Sequence, residues 1–549
     1  MATETVSPAC TGSSLLQPIS EIINLPLDQV NFVVCQLFAL LTAFWFRLYL
    51  HPSKTSPFVR HVVATLLGFY FALFCFGWYA LHFLVQSGLT YGIMILTGVE
   101  HMHKCDPRVL RCDPRVLRCD PRVLRCDPRV LRCDPRVLRC DPRVLRCDPR
   151  VLRYCLVVAL GYLSFCQITR VYVFDYGMYS ADFTGPMMVI TQKITSLAFE
   201  IHDGMCRKEE QLTPNQKLLA IRRMPSLLEY FSYNCNFMGI LAGPTSSYND
   251  YIAFIEGTPC RHNKDHQTNG KTNGRHKQTD PSPNIEVVRK LATCFFSLMV
   301  FLSVCKVFPV ERNIDDDFIA NTPFYAQVVY LYLSMLTTRP KYYFVWTLAD
   351  AINNAAGFGF NGYNGDGSPR WDLISNLRIM DIEFATSFKM FLDNWNIQTA
   401  HWLKRVCYER CPYNPTAATF ILSAMWHGAY PGYYLTFLTG IVVTLAARAM
   451  RHNVRPYFLG SPSHKLLYDG ITWAGTQIAI CYTVVPFVLL SVGPSMKFYR
   501  SWYFSVHIGC VLLAVALPVK PRHLRLKEAP VLSHQDSTDG HCNQKTKAT

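Results

Sequence analysis

Long apolar runs recur along this chain, and their length decides what it can fold into. Windows at residues 32–50, 61–85, 154–169, 291–307, 433–447, 471–492 and 502–519 approach or exceed the roughly 18 apolar residues that cross a bilayer as a helix. Hydrocarbon offers no water to bond, so a spanning backbone must satisfy itself, and runs this long do so as helices. Shorter stretches at 186–201, 231–241, 325–336 and 417–426 suit short spans, re-entrant pieces or buried helices. With them the count reaches about ten or eleven membrane elements. The first run starts near Asn31 after a polar or mixed segment with no cleavable leader, so it reads as an uncleaved anchor. The predicted organisation is a polar segment at 1–30, one all-α polytopic membrane domain at 31–520, and a polar, basic tail at 521–549.

Charge supports a membrane reading. Only 17% of residues are charged, yet the net charge is +16. Arg47, Lys54 and Arg60 follow the first run, and Lys520, Arg522, Arg525 and Lys527 follow the last. Both clusters favour the cytosolic side, and the excess reads as topology and contact with anionic lipid. Basic blocks interleaved with aromatics on a soluble face, which nucleic-acid binding requires, are not found.

Residues 105–153 are seven perfect copies of Cys-Asp-Pro-Arg-Val-Leu-Arg. A proline in every copy forbids a continuous coiled coil, and Val and Leu alone provide too little apolar surface for a core. The cysteine spacing fits no zinc pattern. Removing the block joins Lys104 to Tyr154 across a short loop, so it reads as a tandem duplication or assembly artefact in a tolerant loop. It supplies seven of the 22 cysteines, and the rest read as small buried hydrophobes. Residues 260–283 form a second hydrophilic segment, whose His262, His266 and His276 suit a solvated loop better than a metal site.

Against this apolar background, three places carry chemistry. His427 lies within Trp426-His427-Gly428-Ala429-Tyr430-Pro431-Gly432-Tyr433, with apolar sequence on both sides. An ionisable group at membrane depth is costly and usually marks a pathway or reaction centre, although a histidine bonded to a neighbouring helix is the plain alternative. Upstream, Trp395, Thr399 and Trp402 stand at i, i+4 and i+7, which predicts one shared helix face with Asn396 at its edge. An interfacial helix with tryptophans at headgroup level explains that pattern equally. Farther upstream, Asp350, Asn353 and Asn354 interrupt an aromatic apolar segment, which fits either a lined cavity or polar residues bonding neighbouring helices.

Taken together these spacings resemble one family. Trp426-His427-Gly428-x2-Pro431-Gly432-Tyr433-x3-Phe437, Glu383-x11-Trp395-Asn396-x2-Thr399-x2-Trp402, Trp371-Asp372 and Tyr342-Tyr343-Phe344 look like the four motifs of lysophospholipid acyltransferases within the membrane-bound O-acyltransferase superfamily. Asp175-Tyr176-Gly177, the stretch from Tyr179 to Phe183, and the stretch from Met224 to Tyr230 look like one subgroup of it. The resemblance covers residues 30–520 apart from the repeat. It implies helices around a central catalytic tunnel and transfer of a fatty acyl group from acyl-CoA to a lysophospholipid hydroxyl. His427 is then the general base, and Asn396 either stabilises the oxyanion or orients His427. Glu383, Trp395, Thr399, Trp402, Trp426, Tyr433, Asp350 and Asn354 are the implied substrate-binding positions.

The resemblance implies no metal, no cofactor beyond acyl-CoA as co-substrate, no obligate protein partner, and a multi-pass place in the endoplasmic reticulum membrane. Lys341, Lys404 and Arg405 are candidate contacts for CoA phosphates. No Gly-x-Ser-x-Gly elbow and no cysteine beside His427 call for a covalent acyl-enzyme. Acylation of a protein, peptide or sterol hydroxyl is one alternative. A lipid transporter or scramblase is another, although the Gly/Pro interruptions gather between 341 and 437 rather than recurring in both halves.

Overall fold

The computed structural model of the chain describes residues 12–103, 150–174, 182–258 and 281–517. The repeat up to residue 149, the histidines of the 260–280 stretch, the motif residues between 175 and 181, and the basic tail lie outside them. Among the described residues the architecture is helical, with only two isolated bridges, Tyr363 with Pro369 and Leu377 with Trp395.

In chain order the helices begin with α1 (Gln17–Ile23), α2 (Leu27–Tyr49), α3 (Pro57–Phe76), α4 (Leu81–His103), α5 (Arg150–Thr169) and α6 (Thr184–Cys206). There follow α7 (Pro214–Leu219), α8 (Leu227–Cys235), α9 (Tyr248–Glu256), α10 (Asn284–Val304), α11 (Asp316–Asn321), α12 (Phe324–Thr338) and α13 (Pro340–Ala355). The last third holds α14 (Ile379–Glu383), α15 (Phe388–Asn394), α16 (Ile397–Leu403), α17 (Pro415–His427), α18 (Pro431–Asn453), α19 (Pro462–Leu489), α20 (Val492–Ser501) and α21 (Ser505–Ala516). Among the described residues, six stretches are long and apolar enough to cross a membrane: Leu27–Tyr49, Pro57–Leu96, Leu152–Val173, Asn284–Val304, Pro431–Asn453 and Pro462–Leu489.

Local chemistry explains several boundaries. Ser56 accepts from the Val59 N–H and Pro57 opens α3, and Ser226 with Glu229 closes a capping box on α8. Three apolar windows resolve differently from the expectation. The 61–85 run becomes two helices, α3 and α4, joined at Gly77–Ala80, where Gly77 takes the positive φ of 55° that ends α3. The 231–241 run is helical only to Cys235. The 502–519 run is broken at Tyr503 and Phe504, both in the left-handed region, and leaves the shorter α21. The final repeat copy contributes Arg150–Arg153 to the start of α5.

Three buried apolar clusters form the interior. The largest joins α2–α6, α8 and α9 to α13, and includes Trp402 and Trp426. A second packs α12, α19 and α20 through Leu331, Tyr482, Phe498 and Trp502. A third lies beneath α14 and α15, with Tyr343, Ile382, Phe388 and Phe391 at its centre and Trp395 against it. The three conspicuous sequence motifs occupy the seam between these clusters.

One close approach holds the seam together. Pro486 lies inside α19, which ends at Leu490 with φ 62°. The Gly432 N–H at the start of α18 donates to Leu490 O at 2.7 Å. A Cβ at Gly432 would collide with Pro486 O and the Leu490 backbone, whereas one at Gly475 on α19 meets nothing within 4 Å. Gly432→Ala is therefore expected to lower stability by about 1–3 kcal/mol through overpacking, while Gly475→Ala is near neutral. Thermal unfolding of the two purified variants in detergent checks this, and equal midpoints would contradict it.

Candidate active site

His427 is the last residue of α17, and the turn behind it depends on glycine. Gly428 takes φ 137° and ψ −168°, a backbone conformation that side chains rarely adopt. A Cβ there would meet the Tyr433 ring and the Gln167 amide at ordinary contact distance, so the constraint is the backbone conformation itself. Gln167 on α5 in turn donates to Trp426 O at 3.1 Å, which covers one of the carbonyls left open at the helix end.

The imidazole sits in an aromatic box. Ring centroids of Trp426, Phe487, Phe437 and Tyr433 lie 4.6, 5.0, 5.1 and 5.8 Å away, with Phe437 stacked and Phe487 edge-on. These walls fix the ring by packing alone. Among the described residues neither imidazole nitrogen has a hydrogen-bond partner, and the side chain keeps partial access to space. The reading of His427 as a histidine bonded to a neighbouring helix thus finds no bond to rest on. A helix C-terminus also favours positive charge, which suits a group that gains a proton.

The Trp395–Trp402 stretch folds otherwise than its spacing predicts. Trp395 ends α15 in extended conformation, Asn396 takes the left-handed φ of 50°, and α16 begins only at Ile397. Trp395 therefore cannot share a helix face with Thr399 and Trp402. It joins Trp346, Tyr342, Phe391 and Tyr343, at ring distances of 5.5, 5.6, 5.8 and 6.2 Å. Thr399 and Trp402 turn instead to α6, where Gln192 Nε2 donates to Thr399 Oγ1 and Trp402 Nε1 donates to Thr195 Oγ1, both at 2.8 Å. Trp402 is fully buried, so it is not a headgroup-level residue.

Packing on α6 relates the elements that carry Asn396 and His427. The Trp402 ring lies 5.7 Å from that of Trp426, the neighbour of His427, and Trp426 Nε1 donates to Met188 O on α6 at 2.9 Å. Tyr433 packs against His427, and Tyr342 packs on Trp395 beside Asn396. Tyr342, Trp395, Asn396, His427 and Tyr433 all keep partial access. Asn396 Oδ1 accepts from Asn376 Nδ2 at 3.1 Å. Its own amide N–H groups remain accessible and unbonded among the described residues.

Six of the expected substrate-binding residues have polar atoms bonded within the chain. Thr399, Trp402 and Trp426 direct their polar atoms to α6, as above. Glu383 is braced by Arg339 Nη1 at 2.6 Å and by the Tyr343 hydroxyl at 2.5 Å. Asp350 and Asn354 belong to a buried cluster whose centre, Lys290 on α10, the sequence reading passed over. Lys290 Nζ donates to Asp350 Oδ2 at 2.7 Å, Asn354 Oδ1 at 2.8 Å and Trp371 O at 2.9 Å, which uses all three of its protons. A lysine at the edge of the 291–307 apolar run was the available signal. Of the basic candidates, Arg405 turns inward towards Glu200 at 3.5 Å, while Lys341 and Lys404 stay exposed.

His427 in its aromatic box and Asn396 beside Trp395 are thus carried on two elements that both fasten to α6, through Trp426 and Trp402. The sequence profile of MBOAT, the membrane-bound O-acyltransferase family, matches residues 168–489, which contain every one of these groups. The chain belongs to the membrane-bound O-acyltransferase family. This acyltransferase is 62% identical over 520 residues to membrane-bound glycerophospholipid O-acyltransferase 2 of Gallus gallus, covering 95% of this chain and 90% of that one. It is 50% identical over 512 residues to membrane-bound glycerophospholipid O-acyltransferase 1 of Homo sapiens, covering 93% of each. Lysophospholipid acyltransferase 6 of Drosophila melanogaster is 39% identical over 508 residues, which cover 92% of this chain and 63% of that protein. The enzyme is a multi-pass membrane protein, as its long apolar helices require.

Lys290→Ala would strand the Asp350 carboxylate, whose Oδ1 already lacks a partner in the described structure. Breaking a buried pair from one side costs about 3–5 kcal/mol. The detergent-purified variant should melt well below the parent, and the paired change Lys290→Met with Asp350→Leu should recover much of the loss.

Proposed function

We propose that this acyltransferase transfers a fatty acyl group, of an unsaturated oleoyl type, from acyl-CoA to the free sn-2 hydroxyl of a lysophospholipid in phospholipid remodelling. Lysophosphatidylethanolamine, -choline and -serine are the proposed acceptors, and the endoplasmic reticulum membrane is the proposed site of action. The similarity to glycerophospholipid O-acyltransferases supports the glycerophospholipid reading. The observation that carries the chemistry is the unbonded imidazole of His427, held by ring packing in an aromatic box at the end of α17.

The hydroxyl of a lysolipid is a weak nucleophile until a base removes its proton. Neutral His427 takes that proton as the oxygen attacks the thioester carbonyl. The carbonyl oxygen becomes an oxyanion, and the Asn396 amide N–H donates to it, an interaction strengthened where water is excluded. Collapse breaks the carbon–sulfur bond, and the leaving thiolate of CoA receives the proton held by the imidazolium, which restores the neutral base. The helix C-terminus beneath His427 favours the transient cation. Tyr433, Tyr342 and Trp395 serve as walls that keep water from competing for the acyl group. Thr399, Trp402, Trp426 and Glu383 hold those walls in place, and Lys341 and Lys404 are the remaining candidates for CoA phosphates.

Membranes expressing the enzyme, supplied with labelled oleoyl-CoA and each of the three lysolipids, should form the corresponding diacyl product. At matched expression His427→Ala should abolish measurable turnover. Asn396→Ala should lower kcat by about 10²–10³, the usual cost of removing one oxyanion donor. Undiminished turnover in His427→Ala would remove that residue as the base, and failure with all three lysolipids would reject the acceptor class.

A further inference from the structure

Asn376 holds the segment that carries Asn396, and the bonding around it leaves the direction of the Asn396 amide no freedom. Its side chain is buried, with 5% exposure. The Gln398 backbone N–H donates to Asn376 Oδ1 at 3.1 Å, and the Ile397 N–H donates to Asn376 O at 2.8 Å. A backbone N–H is only a donor, so the side-chain atom facing Gln398 must be the oxygen. The atom facing Asn396 is then the Asn376 nitrogen, which donates at 3.1 Å and obliges Asn396 to present its oxygen.

The arrangement inverts what an asparagine at this position normally does. Asn396 stands at the N-cap of α16, where its side chain would ordinarily accept from the first turn, yet it makes no such bond. Asn376 covers the Ile397 and Gln398 N–H groups instead, which releases the Asn396 side chain from capping. The carrying loop is itself tied down. Gln398 Nε2 donates to Leu373 O and Ser375 O, each at 3.3 Å, and Ser375 Oγ donates to Asp350 Oδ2 at 2.6 Å, joining the loop to the Lys290 cluster.

The geometry points to Asn376 as a positioning residue that orients the Asn396 amide with its N–H groups towards the reacting carbonyl. This rests on the oxyanion role given to Asn396 above. Asn376→Asp is the direct test, because it keeps the acceptor for Gln398 but replaces the donor with an oxygen. Two oxygens face to face repel, so the Asn396 amide turns over and donates to the introduced carboxylate rather than to the reaction.

The expected result is a kcat lowered by about 10²-fold, comparable with Asn396→Ala, with KM for acyl-CoA and lysolipid changed less than about threefold. In the Asn396→Ala background Asn376→Asp should cost almost nothing more, because residues acting as one unit are not additive. Asn376→Ser shortens the side chain so that no donor reaches Asn396, and it adds no charge. It should give the same kcat loss and is read in place of the aspartate variant if that one does not accumulate. Wild-type kcat in the variants, or a further full loss on top of Asn396→Ala, would overturn the positioning role. Turnover lost in Asn396→Ala but kept in Asn376→Asp would overturn that role alone, whereas full turnover in Asn396→Ala would overturn the oxyanion reading with it.

Discussion

The polar stripe of α6 is the constraint on which the rest of this enzyme depends. A helix in an apolar bundle gains little from hydrophobic contact with its neighbours, so buried hydroxyls and amides that bond across helices decide where those neighbours stand. On α6, Thr191 accepts from Gln86 of α4, Lys193 donates to Tyr233 O of α8, and Gln192 and Thr195 fasten Thr399 and Trp402 of α16. Met188 O receives Trp426 of α17. One helix therefore sets the spacing between the two elements that carry Asn396 and His427. Each of its bonds is costly to break, because a stranded partner has no water to turn to.

The catalytic groups themselves are treated in the opposite way. Around His427 and Asn396 the surrounding groups are aromatic rings or bonds that consume only the oxygen of the amide. The donors and the base are left free, and the task of satisfying buried polar groups is moved outward to Glu383 with Arg339 and Tyr343, and to Lys290 with Asp350 and Asn354. A residue with every bond satisfied makes a good brace and a poor reactant. This division explains why four of the motif positions, with Asp350 and Asn354, bond inward onto the chain while His427 and the Asn396 N–H groups stay open to the space beside them.

Proline and glycine set the shape of that space. Near the end of α19, Phe487 beside Pro486 lies edge-on to the imidazole, and the Gly432 contact with Leu490 locks the start of α18 against it. The turn at Gly428 lets α17 stop beside Tyr433. Irregular backbone at this depth survives because protein surrounds it.

Much of this was legible from the residues alone. The apolar runs forced a helical membrane protein, since no other fold satisfies that much backbone in hydrocarbon. His427 stood out because an ionisable group in such a setting is rarely idle, and the motif spacings carried the family. What the one-dimensional pattern did not contain was partnership. Trp395, Thr399 and Trp402 obey helical spacing, but the left-handed turn at Asn396 sends Trp395 to a different cluster from the other two. Lys290 and Asn376 carry no motif of their own. Their roles arise from residues 60 positions away for Lys290 and Asp350 and 20 for Asn376 and Asn396. Sequence periodicity determines which residues must be buried, but hydrogen bonds are satisfied in space, so only the tertiary structure decided which polar groups brace the chain and which are free to react.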